Sequence, residues 1–383
     1  MRRLKTVHAG TGACAIAAML TVIGLPVTAM AQFTAPPAPV SDTTPGRTAE
    51  SDAKKGDMLG NGGAIMGGST LDQVQYDIKK RNALFDGAGN AAAVPPQEMV
   101  KALGTGVTAL AGDDPYWDGH DSAFTLGVFN KIRGAGLSTV RIPVSLFGKT
   151  TRIDGSGQID QVYLQRLDAA VNAALRARLF VIIAEDDGCA CAANAGACSD
   201  NLSNAWNYLS QHFQDAPASV LFELLDAPHG AVTPAVWNGW LPGLVSVLRN
   251  SNPQRTLIVD GANEGQADDL SALTLPADAH TIVSFRYTPD APVITQVAAD
   301  FDAVAAWSKA NKQAVMLGDY GIANPSGGST ERIVWTRTVS QAAQAHGFAR
   351  IYTSFYLDAG GNGLFDAQSK KWLDPMKSAV LGK

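Results

Sequence analysis

Residues 221–230 read LFELLDAPHG. From Val220 to Leu225 the chain is apolar except for Glu223, and the run ends in the turn-forming cluster Asp226-Ala227-Pro228-His229-Gly230. A short apolar run closed by a turn signal predicts a strand covered on both faces, as in a parallel sheet. A carboxylate inside such a strand needs a partner. Glu223 is therefore expected to be a hydrogen-bonded or ion-paired internal residue, and the turn after it is expected to carry any chemistry.

Working outward, β-rich runs recur at Gly104–Ala111, Ser138–Val144, Leu179–Glu185, Thr256–Asp260, Thr281–Tyr287, Ala314–Asp319 and Arg350–Phe355. Helical patterns fill the gaps, for example at Asp160–Arg178, Pro234–Arg249, Ala298–Lys309 and Glu331–Ala345. In the first of these, Tyr163, Leu164, Leu167, Ala170, Val171 and Ala174 recur at helical spacing. Strands alternating with helices over roughly 290 residues predict an α/β fold, a (β/α)8 TIM barrel in one domain. An open doubly wound sheet is the alternative, but no Gly-rich phosphate turn follows the first strand. A barrel places its site at the C-terminal strand ends, here near 111, 141–144, 185–188, 226–229, 260–264, 285–288, 319–320 and 353–356.

The N-terminus reads as a signal peptide over 1–31. Arg2, Arg3 and Lys5 precede an apolar stretch from about Ala13 to Val27, and Ala29-Met30-Ala31 offers a cleavage site after Ala31. That stretch is shorter than the ~20 residues of a membrane span. A periplasmic or secreted protein is expected. Residues 32–68 are rich in Pro, Gly and Ala and predict a flexible segment. The barrel domain is expected over 69–383, its core from about 97. The chain holds 30 basic and 35 acidic residues, without basic clusters. This argues against nucleic acid or anionic membrane partners, and no segment after residue 31 is long and apolar enough to predict membrane insertion. Cys189, Cys191 and Cys198 lie in CACAANAGAC. In an oxidising compartment Cys198 is expected to pair with Cys189 or Cys191 as a loop staple. The spacing fits no standard zinc pattern and there is no EF-type loop, so neither a metal nor a cofactor is expected.

LFELLDAPHG closely resembles the segment Leu-Phe-Glu-Leu-Leu-Asn-Glu-Pro-His-Gly of the cellulase-like family 5 glycoside hydrolases, endoglucanase-type barrels of clan A. The resemblance extends over about Val100–Leu381. GLSTVRIPVS resembles the family's second strand, IDQVYLQRLDAAVNAAL the second helix, and LPADAHTIVSFRYTP the run into the sixth strand. MLGDYG resembles the seventh-strand motif Leu-Gly-Glu-Phe-Gly, and ERIVWTRTVSQAAQAHGFARIYTSF the seventh helix and eighth strand. The resemblance implies a retaining glycosidase using two carboxyl groups about 5 Å apart. It places Asp319 at the nucleophile position, Ala227 at the acid/base position, and Asp226 at the neighbouring asparagine. Arg141 falls at the arginine that orients the nucleophile, and Tyr287 at the sixth-strand tyrosine. Phe285 and Thr353 stand where the family has a histidine and a sugar-stacking tryptophan, and Asp186-Asp187 replaces paired histidines.

Alanine has no proton to give. Loss of a positioned general acid costs about 10²–10⁴ in rate, and withdrawing a nucleophile by about 1 Å costs on the order of 10². The expectation is non-catalytic binding of a β-linked glucan or related polysaccharide, by a monomer. The alternative is an active retaining β-glycosidase with a remodelled carboxylate set. There Asp319 attacks, held by Arg141, and Asp226, Glu185, Asp186, Asp187 or Glu264 supplies the proton. Each has a structural reading beside the chemical one: Asp226 caps the turn or pairs with Arg286, and Arg141 pairs with Glu223 or Asp319. Candidate substrate contacts are Tyr287, Asp186, Asp187 and His229, together with Tyr116 and Trp117 after the first strand. Trp206 is expected to flank the cleft, while Trp237, Trp240, Trp307 and Trp335 pack against the barrel. His120 is a further, unusual acid candidate.

Overall fold

The computed structural model describes residues 79–86, 93–109, 122–148, 152–154, 158–289, 293–322, 328–358 and 361–383. Residues 1–68, with the expected signal peptide and flexible segment, lie outside the described residues, as do Tyr116, Trp117 and His120. Eight strands close into a parallel barrel: β1 (Thr105–Thr108), β2 (Thr139–Val144), β3 (Phe180–Glu185), β4 (Val220–Glu223), β5 (Leu257–Asp260), β6 (Thr281–Tyr287), β7 (Ala314–Tyr320) and β8 (Arg350–Tyr352). β1 pairs with both β2 and β8, which closes the ring. Helices follow the strands; that after β2 runs Gln161–Arg176, with Asp160 accepting the Tyr163 N–H as N-cap.

Period-2 alternation sorts the strand residues into two layers. Phe180, Ile182, Ala184, Leu221, Ile258, Ile282, Met316 and Ile351 fill the barrel interior, and Met99, Val100 and Leu103 of the helix Pro96–Leu103 join that cluster. The intervening residues pack outward against the helices in a second, larger core that includes Trp206, Trp237 and Trp335. Continuing the inward alternation toward the strand ends replaces apolar by polar residues. Leu221 leads to Glu223, Ile258 to Asp260, Thr139 to Arg141, and Ile282 to Ser284 and Arg286. All of these except Arg286 are buried. The interior is thus an apolar plug under a charged layer.

One irregularity decides how that layer is wired. Phe285 is in register with Leu317, but Arg286 is in register with Asp319, so β7 carries a bulge that skips Gly318. A Cβ on Gly318 would lie 2.0 Å from Ser284 Oγ, so only glycine permits this approach. The bulge sets Arg286 directly beside Asp319.

Among the described residues, no helix is long and apolar enough to cross a membrane.

Candidate functional site

Five charged groups form a continuous chain at the C-terminal mouth. Arg141 donates from Nε and Nη2 to the two oxygens of Glu223, at 2.7 and 2.6 Å. The same Nη2 lies 2.9 Å from Asp226 Oδ1. Arg286 Nη1 reaches that oxygen at 3.1 Å, and its Nη2 reaches Asp319 Oδ2 at 2.6 Å. The order Glu223–Arg141–Asp226–Arg286–Asp319 alternates in sign. Arg141 and Glu223 are almost fully buried, whereas Asp226 and Arg286 keep 17% and 20% of their side chains exposed.

The electrostatics follow from burial and neighbours. Burial works to raise the Asp226 carboxyl, but Arg141 and Arg286 outweigh it and hold it below the usual carboxylate range. Burial disfavours charge on Arg141, yet Asp226 and Glu223 hold it well above its ordinary value. Burial pushes Glu223 up, and Arg141 opposes that push. Asp260 is raised well above the ordinary range, first by burial and then by repulsion from Glu223 and Asp226. Its Oδ2 accepts the Ala227 N–H at 3.2 Å, and its Oδ1 has no hydrogen-bond partner.

One oxygen from each of Glu223, Asp226 and Asp260 lies within 4.8 Å of the others, the spacing of a cation site. Both Glu223 oxygens are already taken by Arg141, and Asp226 Oδ1 faces two guanidiniums. The cation at this cluster is Arg141 itself.

The turn after β4 is held from below and from the side. Asp226 N–H donates to Glu185 O at 2.7 Å, and Ala231 N–H to Ala192 O at 2.9 Å. Ala192 lies in the short helix Gly188–Ala193, tied by a Cys191–Cys198 disulfide to the helix Ala195–His212. Of the two expected pairings for Cys198, Cys191 is the one formed. Ala227 takes φ +48°, a left-handed conformation unusual for alanine.

The remaining candidates are placed as follows. Asp187 accepts from the backbone N–H groups of Leu146, Phe147 and Gly148 and from Ser145 Oγ, and is 1% exposed. Its lone pairs are spent on fixing the loop after β2. Glu185 is fully buried; its Oε2 accepts the Asp187 N–H and its Oε1 has no hydrogen-bond partner. Burial, reinforced by the Asp187 charge, holds Glu185 well above the ordinary range. Asp186 lies beside Asp226. His229 Nδ1 bonds the Ala227 carbonyl at 2.8 Å, closing the turn. Glu264 is exposed, and its N–H donates to Pro228 O beside that turn. The Tyr287 hydroxyl donates to Asp300 at 2.6 Å while its ring stacks on Trp335.

Two expectations are corrected. Trp206 does not flank the cleft: it is fully buried, with Nε1 donating to Leu224 O at 2.8 Å. Arg141 pairs with Glu223 and Asp226, and the guanidinium on Asp319 belongs to Arg286. Sequence reasoning names Arg286 only as a partner of Asp226 and does not single out Asp260. The inward alternation from Ile282 and Ile258 is the available signal for both.

The family model for cellulase (glycosyl hydrolase family 5) matches residues 104–355, more than half of the chain. The chain belongs to glycosyl hydrolase family 5. Among curated members, it is 25% identical over 275 residues to endoglucanase H of Acetivibrio thermocellus, covering 67% of this chain and 30% of that protein. It is 22% identical over 338 residues to endoglucanase B of Clostridium cellulovorans, covering 76% of each. It spans about a third of the length of endoglucanase H and of endoglucanase A of Clostridium longisporum. Among solved family folds, a hyperthermophilic endo-beta-1,4-glucanase in complex with substrate superposes with TM-score 0.68 at 26% identity, covering 76% of this chain and all of that one. The Thermotoga maritima endoglucanase Cel5A, at 24% identity and TM-score 0.67 over 75% of this chain, shares the fold.

Proposed function

We propose that this family 5 protein is exported and binds a β-linked glucan or related polysaccharide in its barrel mouth without cutting it. The observation that carries this reading is the clamping of Asp226 as an anion between Arg141 and Arg286, beside an alanine at the acid/base position. A retaining glycosidase needs one carboxylate free to attack and one carboxyl carrying a proton toward the leaving oxygen. Here Asp226 is held as an anion between two guanidiniums and has no proton to give. Ala227, next in the chain, has no side-chain proton. The two raised acids, Glu185 and Asp260, are withdrawn from solvent, at 0% and 1% exposure. The family's endoglucanases support a glucan as ligand, and the signal-peptide-like sequence of residues 1–31 supports export.

A second reading, a remodelled retaining hydrolase, is favoured by one feature: Asp226 and Asp319 share a single guanidinium and so lie on either side of it. Long incubation of the purified protein with cellohexaose separates the two, with calorimetric binding measured in parallel and products read by mass spectrometry. Bound but intact hexaose supports the binding reading. Fragments that appear with Asp319 and vanish in Asp319→Asn overturn it in favour of the hydrolase. Neither binding nor cleavage overturns the glucan assignment itself.

A further inference from the structure

Away from the mouth, the sequence NGWLPGLV sets Gly239 and Gly243 four residues apart, on one face of the helix Pro234–Ser251. The neighbouring helix Ala195–His212 presents Ser199 and Ser203 at the same spacing. The two rows line a groove of about 190 Å³, walled by Ser199, Ser203, Gly239, Trp240, Gly243 and Leu244. These helices follow β3 and β4 and begin beside their C-terminal ends, so the groove lies on the outer wall of the barrel.

Glycine inside a helix is destabilising relative to alanine, and Pro242 between the two glycines weakens this helix further. Small residues at a helix contact ordinarily let the two axes approach. That is not their use here, because a Cβ built on Gly239 or Gly243 meets nothing within 4 Å. The packing of the fold asks for neither glycine; what they keep is an open groove.

One wall of the groove is aromatic. Trp240 is half-buried, packed in part on the core and set T-shaped to the buried Trp237 with ring centroids 6.3 Å apart. Its indole N–H and the hydroxyls of Ser199 and Ser203 make no hydrogen bond to any described residue. None of the wall residues is ionisable, which suits a neutral ligand. The volume falls below the roughly 300–1,000 Å³ of pockets for larger ligands, so the groove takes a single ring. An indole with hydroxyls beside it matches a ring that has an apolar face and a hydroxylated edge, as a pyranose does. An aliphatic side chain of a protein partner would displace water and leave those polar groups without partners.

We propose that this groove is a second glycan site, outside the barrel mouth, where Trp240 stacks on one pyranose ring of a β-linked glucan and Ser199 and Ser203 bond its hydroxyls. The sugar class rests on the carbohydrate-binding reading above; the place of the site does not.

The test follows the indole N–H resonances of the full protein, isotope-labelled at tryptophan, with the Trp240 signal assigned by its loss in Trp240→Phe. Cellohexaose is expected to move that signal with a midpoint on the order of 1 mM, the weak affinity of a single-ring contact. Gly243→Leu fills the groove with a better helix former and is expected to raise the midpoint at least about tenfold. Ser203→Gln fills it from the facing helix if the first variant does not fold. Calorimetric titration of the same samples reports total binding. Calorimetric binding with the Trp240 signal unmoved overturns this inference and leaves the carbohydrate-binding reading standing. Loss of all binding in Gly243→Leu supports the groove and overturns binding at the mouth. A shift retained at full affinity in the folded variants overturns the inference, because the sugar then acts from elsewhere. A signal that moves with protein concentration alone overturns it too, by assigning the groove to a second copy of the chain. Neither a shift nor calorimetric binding overturns the inference and the carbohydrate-binding reading together.

Discussion

Arg286 Nη2 donates to Asp319 Oδ2 at 2.6 Å because a bulge at Gly318 puts the two residues in register on neighbouring strands. The pair is largely withdrawn from solvent, so its two halves depend on each other: a buried charge is tolerable while paired and costly alone. Arg286→Met is expected to destabilise the protein by about 3–5 kcal/mol, because Asp319 loses its guanidinium and Asp226 keeps only Arg141. Adding Asp319→Asn to that variant is expected to recover part of the loss. Urea denaturation of the two single variants and the double variant gives the coupling directly, and additive effects would show that the bridge is not an energetic unit.

Ala227 makes a second, local prediction. At φ +48° its Cβ crowds the backbone, and left-handed conformations cost a non-glycine residue roughly 1–2 kcal/mol. Part of any gain from glycine is returned as unfolded-state entropy. Ala227→Gly is expected to stabilise the protein by about 0.5–1 kcal/mol. Ala227→Glu is expected to leave cellohexaose intact over an ordinary assay, since Asp319 is one methylene shorter than glutamate and a nucleophile withdrawn by about 1 Å loses on the order of 10² in rate. A clear drop in the denaturation midpoint for Ala227→Gly, or cellohexaose cleavage by Ala227→Glu, sinks the corresponding half of this prediction.

The barrel is legible in the sequence because its signals repeat. Apolar runs such as Val220–Leu225 alternate with helical patterns, and the pattern over Asp160–Arg178 matches an observed helix Gln161–Arg176. Placing Arg141, Asp226 and Asp319 at one end follows from strand order alone. Their wiring does not. The register shift at Gly318 depends on Ser284 of the neighbouring strand, and no local signal in MLGDYG announces it. Trp206 escapes a sequence reading for a related reason: the insertion of the helix Gly188–Ala193 after β3 moves the following helix along, so Trp206 falls mid-helix over Leu224.

Glu185 predicts the sign of a pH dependence. Burial and the Asp187 charge hold its folded carboxyl well above the ordinary range, so the folded state keeps a proton that the unfolded chain releases. Where the native state binds more protons, stability falls as pH rises. The loss begins near the unfolded value and continues until the folded group itself ionises. Glu185→Gln removes this proton linkage while keeping the shape. Relative to the parent, the variant is expected to gain stability as pH is raised from about 4 to 7, by up to about 1.4 kcal/mol per pH unit. Denaturation curves at several pH values check it, and a difference independent of pH counts against a protonated Glu185.

The Cys191–Cys198 disulfide braces the turn that carries Asp226. It closes a loop with a sequence separation of 7, and Ala192 inside that loop accepts the Ala231 N–H at 2.9 Å. Gly230 sits against the same residue, since a Cβ there would lie 2.9 Å from the Ala192 carbonyl oxygen. Closing so short a loop removes unfolded-state entropy worth about 2.5 kcal/mol. Replacing both cysteines with serine is expected to cost about that much. It is also expected to raise amide exchange first at Ala231, because the carbonyl it bonds is then held only by a short helix. The exchange profile decides between local and global effects. Faster exchange at Ala231 with unchanged barrel strands supports the brace. Uniform acceleration across β3 and β4 instead assigns the disulfide to overall stability, with no special claim on the turn.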